Sequence, residues 1–244
     1  VDSLSAHDIF RIWDLGEQRH PVDRTLMLLA AACRDMTWDE LARLSIGQRD
    51  RLLLALREAT FGQRLDSYCE CPECRERLEF ALSTADLRPP AVEEKVHDVK
   101  SLCIDGIEIQ YRMPDSRDLA AAACCDDVAD ARDVLIRRCV AGARREETAL
   151  GAETLPDSVV AALGNSMTQE EALSEVQVNL CCPECGHRWP VILDIASFLW
   201  TEIGAYARRL LREVHTLARA YGWREADILA MSARRRRLYI EQVT

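Results

Sequence analysis

Two identical tetrapeptides, Cys71-Pro72-Glu73-Cys74 and Cys182-Pro183-Glu184-Cys185, constrain this 244-residue chain more than any other feature. A Cys-x-x-Cys pair in a tight knuckle aims two sulfurs and the neighbouring backbone amides at one point. Two such knuckles supply the four thiolates that tetrahedral zinc prefers. The flanks repeat as well. Leu78, Phe80 and Leu82 alternate with polar or small residues after the first pair, and Trp189, Val191 and Leu193 after the second. Each run is the pattern of a half-buried strand, and each is followed by a helix signal, Thr84 to Leu87 and Ala196 to Leu199. Pairing two strand–knuckle–strand units around one ion gives a zinc ribbon, here split by a long insertion. Joining chain ends roughly 100 residues apart costs about 4 kcal/mol beyond a constant. Structural zinc sites in small peptides gain about 10–16 kcal/mol, so one shared site is energetically open.

Three readings compete for these cysteines. A redox dithiol places its pair at a helix N-terminus, which lowers the thiol pKa; both pairs here lead into strand patterns. Unmetallated buried thiols are the second alternative, and one structural Zn2+ per chain, held by Cys71, Cys74, Cys182 and Cys185, is the favoured reading. Cys69, Cys181 and His187 lie close enough in sequence to replace a ligand. Four sulfurs leave no open coordination position, so such a site clamps and does not hydrolyse. Cys33, Cys103, Cys124, Cys125 and Cys139 read most simply as small core residues.

The rest of the chain reads as α+β, mainly α-helical, with helical N- and C-terminal parts joined by the split ribbon. Ser5 caps a helix that stops near Gly16, and Pro21 opens a second that runs through Cys33. Thr37 to Glu40 has capping-box spacing, and Leu52, Leu53, Leu56 and Ala59 fall at helical intervals before Gly62. Asp105-Gly106, between Ile104 and the alternating Ile107, Ile109 and Tyr111, predicts a hairpin. Pro114-Asp115-Ser116 predicts a turn and cap, Val128 to Val140 a helix, and Arg144 to Glu153 an exposed loop. Val176, Val178 and Leu180 predict a strand. Leu199, Ile203, Tyr206, Leu210, Val214, Leu217 and Tyr221, spaced four and three apart, predict a long amphipathic helix, followed by pieces over Ala226 to Met231 and Ala233 to Ile240. The expected organisation is a helical region over 1–62, the first knuckle and its strands over 63–115, and a helical insertion over 116–174. The second knuckle over 175–195 and a C-terminal helical region over 196–244 complete it, with Pro89-Pro90 opening a linker.

Net charge and motif content narrow the function. At −10, the chain's long-range field repels phosphate, so neither nucleic acid nor an anionic membrane is the expected partner. The longest apolar run, Leu26 to Cys33, is far short of the roughly 18 residues that cross a bilayer. The opening Val1-Asp2-Ser3-Leu4 reads as no export signal, and eleven cysteines, an odd number, fit thiols and ligands in a reducing compartment. A cytoplasmic protein is expected. The run Arg234, Arg235, Arg236, Arg237 points in four directions on a helix, about 100° apart, and reads as a solvated or partner-binding face before a phosphate-binding one. No phosphate loop, metalloprotease motif or nucleophile elbow is present, and His7, His20, His97 and His215 are scattered. No enzyme and no small-molecule substrate are expected.

The stretch Arg49 to Glu58, a Leu-rich helix leading through Phe61-Gly62 to Cys71-Pro72-Glu73-Cys74 and on to Asp86-Leu87, resembles a known family. It is similar to the baseplate-hub assembly proteins of contractile-tailed phages and of phage-derived contractile injection systems. Arg112-Met113-Pro114-Asp115-Ser116-Arg117-Asp118-Leu119 looks like that family's strand-to-helix turn, and Tyr221 to Leu229 with the arginine run and Tyr239 like the ends of small tail proteins. The resemblance implies a non-enzymatic assembly factor or structural component of the baseplate hub. Its partners would be hub, spike or wedge proteins, and it would be incorporated into a phage-tail-like particle or released from it. The alternative is a zinc-ribbon regulator or adaptor binding nucleic acid or a transcription complex.

Overall fold

A computed structural model describes residues 1–87, 99–172 and 177–243 of the chain. The Pro89-Pro90 linker, His97 and Val176 lie outside the described residues. The chain divides into two compact units, one formed by Val1–Asp35, Leu52–Arg64 and Asp194–Thr244, the other by Met36–Arg51 and Leu65–Leu193.

Unit one is helical. Ser5 and Asp8 close a capping box at the start of α1 (Ala6–Gly16), and Pro21 stands in the first turn of α2 (Pro21–Ala32), whose N-cap is the His20 imidazole. The short α3 (Trp38–Ala42), capped by Thr37 and Glu40, belongs to unit two, and α4 (Ile46–Phe61) begins there and continues into unit one. In unit one Arg57 is 2% exposed, and its guanidinium donates to both carboxylate oxygens of Glu202 at 2.9 and 2.7 Å. At Gly16 a Cβ would come within 2.5 Å of the Trp200 ring, so only glycine lets α1 pass that side chain as placed.

Unit two carries the strands. β1 (Arg64–Glu70, its first residue in unit one) pairs with β2 (Arg77–Ser83), and one turn of helix follows, α5 (Thr84–Leu87). The hairpin β3 (Lys100–Ile104) and β4 (Ile107–Tyr111) turns on Asp105 and Gly106, both with positive φ, as a two-residue primed turn requires. After α6 (Ser116–Ala122) and α7 (Val128–Cys139), β5 (Val140–Arg145) and β6 (Thr148–Leu150) extend this hairpin to an antiparallel sheet of order β3-β4-β5-β6. The segment from Arg144 to Glu153, expected as a loop, therefore begins as a strand pair: Ala143 faces Leu150 and Arg145 faces Thr148. The insertion 116–174 is thus helical in α6, α7 and α8 (Asp157–Ala172), with a two-stranded extension of the sheet inside it.

The core of this unit joins the sheet to α7 and α8 through Ile107, Ile109, Tyr111, Ile136, Val159, Leu163 and Met167. A buried ionic knot sits at its edge. Asp118, with a fully buried side chain, accepts from Arg112 at 2.6 and 3.0 Å, from Arg138 at 3.1 Å and from the Asp115 backbone N–H at 3.0 Å. Asp115 in turn caps α6, accepting from the N–H groups of Arg117 and Asp118. The strand pair β7 (Gln177–Cys181) and β8 (Arg188–Ile192), antiparallel, closes the unit.

The chain then returns to unit one as α9 (Ile195–Tyr221), capped by Asp194 and stopped at Gly222, and ends in α10 (Glu225–Leu229) and α11 (Ala233–Ile240). Leu199, Ile203, Leu210, Val214 and Leu217 are buried along α9, whereas Tyr206 is half-buried and Tyr221 is 37% exposed. Leu210, Val214 and Leu217 pack with Ile228 and Leu229 of α10. The chain is mainly helical with small sheets, as expected from its periodicities. Among the described residues, no helix is long and apolar enough to cross a membrane.

Candidate metal centre

Each Cys-Pro-Glu-Cys tetrapeptide is folded by the same two backbone bonds. In the first, Cys71 N–H donates to Glu76 C=O and Arg75 N–H to Cys71 C=O, both at 2.9 Å. In the second, Cys182 N–H donates to His187 C=O at 2.8 Å and Gly186 N–H to Cys182 C=O at 2.9 Å. The residue four positions after the first cysteine is left-handed in both copies, with φ of 63° at Arg75 and 71° at Gly186. Glycine takes that conformation without penalty, and arginine takes it at a cost. A tightly closed loop is worth keeping when it presents sulfurs.

The two knuckles, 108 to 114 residues apart in sequence, bring their sulfurs together. Cys71 Sγ lies 3.6 Å from Cys185 Sγ, and Cys74 Sγ lies 3.6 Å from Cys182 Sγ. All four atoms lie within 4.8 Å of one another. A tetrahedron of sulfurs about 2.3 Å from a central ion has edges of about 3.8 Å. The four cysteines can therefore hold a metal with little rearrangement. Among the described residues they are the only group of three or more His, Cys, Asp or Glu side chains placed to do so. Cys71 and Cys182 are buried, while Cys74 and Cys185 are exposed.

Electrostatics at the site distinguish its members. Burial disfavours the Cys71 thiolate, but N–H donors of Cys74 and Glu73 and the thiols of Cys74 and Cys185 outweigh it, bringing that thiol down to about 6. At Cys74 the Glu76 N–H favours the thiolate, yet, although the residue is exposed, desolvation of its sulfur and the three neighbouring thiols outweigh it, and the thiol is pushed up to about 12. Cys185 is also raised: the His187 N–H and the Cys74 thiol favour its thiolate, but desolvation of its sulfur and the thiols of Cys182 and Cys71 overcome them. Four sulfurs this close cannot all ionise unless a cation joins them, because each thiolate raises the others. The amides that solvate the sulfurs are those of the knuckle loops themselves.

Of the other residues considered from the sequence, none joins this cluster. Cys69 lies outside it, Cys181 Sγ points at the carbonyls of Cys182 and Gly186 at 3.9 Å, and the His187 ring stacks on Trp189 at 5.6 Å. The reading of the remaining cysteines as core holds for Cys139, which is buried. It fails for Cys103 and Cys124, which are exposed: β3 has only one covered face, and Cys124 lies just past the end of α6. Cys33 and Cys125 are half-buried. The arginine run divides. Arg234, Arg235 and Arg237 are exposed, whereas Arg236 is 1% exposed and donates to Glu213 at 2.7 Å and to the Met231 carbonyl. Sequence reasoning missed the Arg112–Asp118–Arg138 knot. The only signal for it was the capping-box spacing of Asp115 and Asp118.

The family model described as T4 bacteriophage base plate protein matches residues 17–200. That span contains both knuckles, the ionic knot and the first turn of α9. No curated protein and no solved structure gives a significant match. With three quarters of its length in that match, the chain belongs to the T4 bacteriophage base plate protein family.

Proposed function

We propose that this protein is a non-catalytic component or assembly factor of the baseplate hub of a contractile tail or contractile injection system, held in shape by one structural zinc. The observation that carries the metal half is the meeting of four sulfurs from two chain-distant knuckles within 4.8 Å. Zinc is the ion that an all-thiolate tetrahedral set suits, and with four protein ligands it has no position for substrate or water. The ion would offset the mutual repulsion of the thiolates.

Chain topology supports a fastening task for such an ion. The long segment Leu65–Leu193 of unit two begins at the first knuckle's strands and ends at the second's. The strand pairs β1–β2 and β7–β8 belong to separate sheets. An isolated two-stranded unit is marginal in water, so a bond through the sulfurs would fasten both ends of the segment where the chain leaves and re-enters unit one. A clamp of this kind supports a binding role. In that role the exposed Arg234, Arg235 and Arg237, with Arg236 anchoring their helix to Glu213, would face hub, spike or wedge proteins.

The test is affinity purification of the tagged protein from its native host, with mass spectrometry of partners and zinc analysis of the same sample. Recovery of hub, spike or wedge proteins with about one zinc per chain is expected from a four-thiolate site. Zinc with polymerase or DNA in place of tail proteins would refute the hub reading and leave the clamp.

A further inference from the structure

Charge is divided unevenly along the chain. Counted over the sequence of each unit, unit one has 15 Lys or Arg against 13 Asp or Glu, and unit two has 16 against 28. The net −10 therefore resides in unit two, and unit one is slightly positive. Within unit one, one stripe of positive charge runs along the outer face of α9. At about 100° per residue, Arg208, Arg212, His215 and Arg219 fall within roughly 60° of one another, opposite the buried Leu199, Ile203, Leu210, Val214 and Leu217. All four are exposed, Leu211 beside them is 47% exposed, and none of the three arginines has an ion-pair partner among the described residues.

The complementary feature is the turn between α6 and α7 in unit two. Asp126, Asp127 and Asp130 are all exposed there, and they surround Val128, which is 86% exposed. None of these carboxylates has an ion-pair partner among the described residues. The Asp127 carboxylate accepts the Asp130 N–H at the start of α7. One surface is thus a row of arginines flanked by an exposed leucine, and the other a cluster of carboxylates around an exposed valine.

We propose that the basic outer face of α9 docks onto the acidic α6–α7 turn of a second copy of this chain. The match in sign, with an exposed apolar residue beside each set of charges, selects this occupant over nucleic acid, which the charge of unit two repels. Each copy offers one surface of each kind, so the contact is head-to-tail, and successive copies form a ring or an open chain. Charges on an open surface are screened beyond about 8 Å at physiological ionic strength, so association depends steeply on salt.

Sedimentation of the full zinc-loaded chain at about 0.01 M and about 1 M salt, where the screening length falls from roughly 30 to 3 Å, tests this. The expected mass exceeds one chain of 27.6 kDa at low salt and returns to it at high salt. Arg212→Glu with Arg219→Glu, and separately Asp126→Lys with Asp130→Lys, should each give monomers at low salt. Mixing these two variants restores opposite signs at every contact and should restore association. Circular dichroism and melting establish that each variant is folded; one that is not is replaced by its Gln or Asn counterpart. A wild-type chain that stays monomeric at low salt, variants that still associate, or folded variants whose mixture remains monomeric would each overturn the proposal.

Discussion

Replacing Asp118 tests how much of unit two depends on one buried carboxylate. Its side chain is fully buried and accepts from two guanidinium groups and one backbone amide. Asp118→Ala leaves Arg112 without its strongest partner, with the Asp115 carboxylate at 3.6 Å and the Met113 and Arg138 carbonyls at 3.1 and 3.4 Å remaining, and removes half of the α6 capping box. Breaking a buried pair by removing one partner costs about 3–5 kcal/mol. At about 2–4 °C per kcal/mol for a chain of this size, the melting temperature should fall by roughly 6–20 °C. Asp118→Asn keeps an acceptor for the Asp115 N–H and should cost less, about 1.5–3 kcal/mol, the worth of hydrogen bonds to charged groups.

The pH response follows from the sign of the shift. Burial alone would raise the Asp118 pKa, but the Arg112 hydrogen bonds, the Asp115 amide and the Arg138 charge outweigh it, so the folded value lies below the unfolded one. The stability it contributes is then fully present above the unfolded value of about 3.9 and is lost as pH falls through the folded value. Calorimetric melts of the metal-loaded protein at neutral pH and in acid provide the assay. An Asp118→Ala melt within about 0.5 kcal/mol of wild type would refute the reasoning, because surface substitutions stay within that scale.

Two further substitutions have internal controls. Arg75→Gly should stabilise the first knuckle by about 0.5–1 kcal/mol, since it relieves a left-handed arginine at the position where the second knuckle already has Gly186; a loss of stability would show that the Arg75 side chain matters more than its backbone. Arg236→Ala should cost about 1.5–3 kcal/mol through the lost Glu213 and Met231 bonds, while Arg234→Ala should stay within about 0.5 kcal/mol. Equal effects in denaturant melts would contradict the burial of Arg236.

What was legible in the sequence was what local chemistry dictates. Ser5, Thr37 and Asp115 mark helix starts because a capping side chain acts within three residues. Asp105-Gly106 marks its hairpin because few residues accept positive φ twice in succession. The knuckles were legible because the second repeats the first. Pairing decided elsewhere was not legible: Val140 to Arg145 has little alternation of its own and becomes a strand because β4 offers it an edge. α8 was expected only as part of a helical insertion; its buried Val159, Val160, Leu163 and Met167 and its Pro156-Asp157 start were not singled out. Arg236 illustrates the same limit. A run of four arginines on a helix must turn one inward if the helix packs, but nothing in the sequence near it announces Glu213 on another helix.

The central claim, that four distant cysteines share one zinc and thereby hold unit two closed, is tested most directly by metal analysis of the purified chain. Wild type should be compared with Cys71→Ser and Cys185→Ser variants, and each with hydrogen exchange over the two knuckle regions. About one zinc per wild-type chain is expected, lost or severely weakened in both variants, because each pair contributes half of a four-ligand set. Protection should fall in β1–β2 and β7–β8 together whichever knuckle is altered. A folded, metal-free wild-type chain, or a Cys185→Ser variant that keeps full zinc while its first knuckle stays protected, would contradict the account.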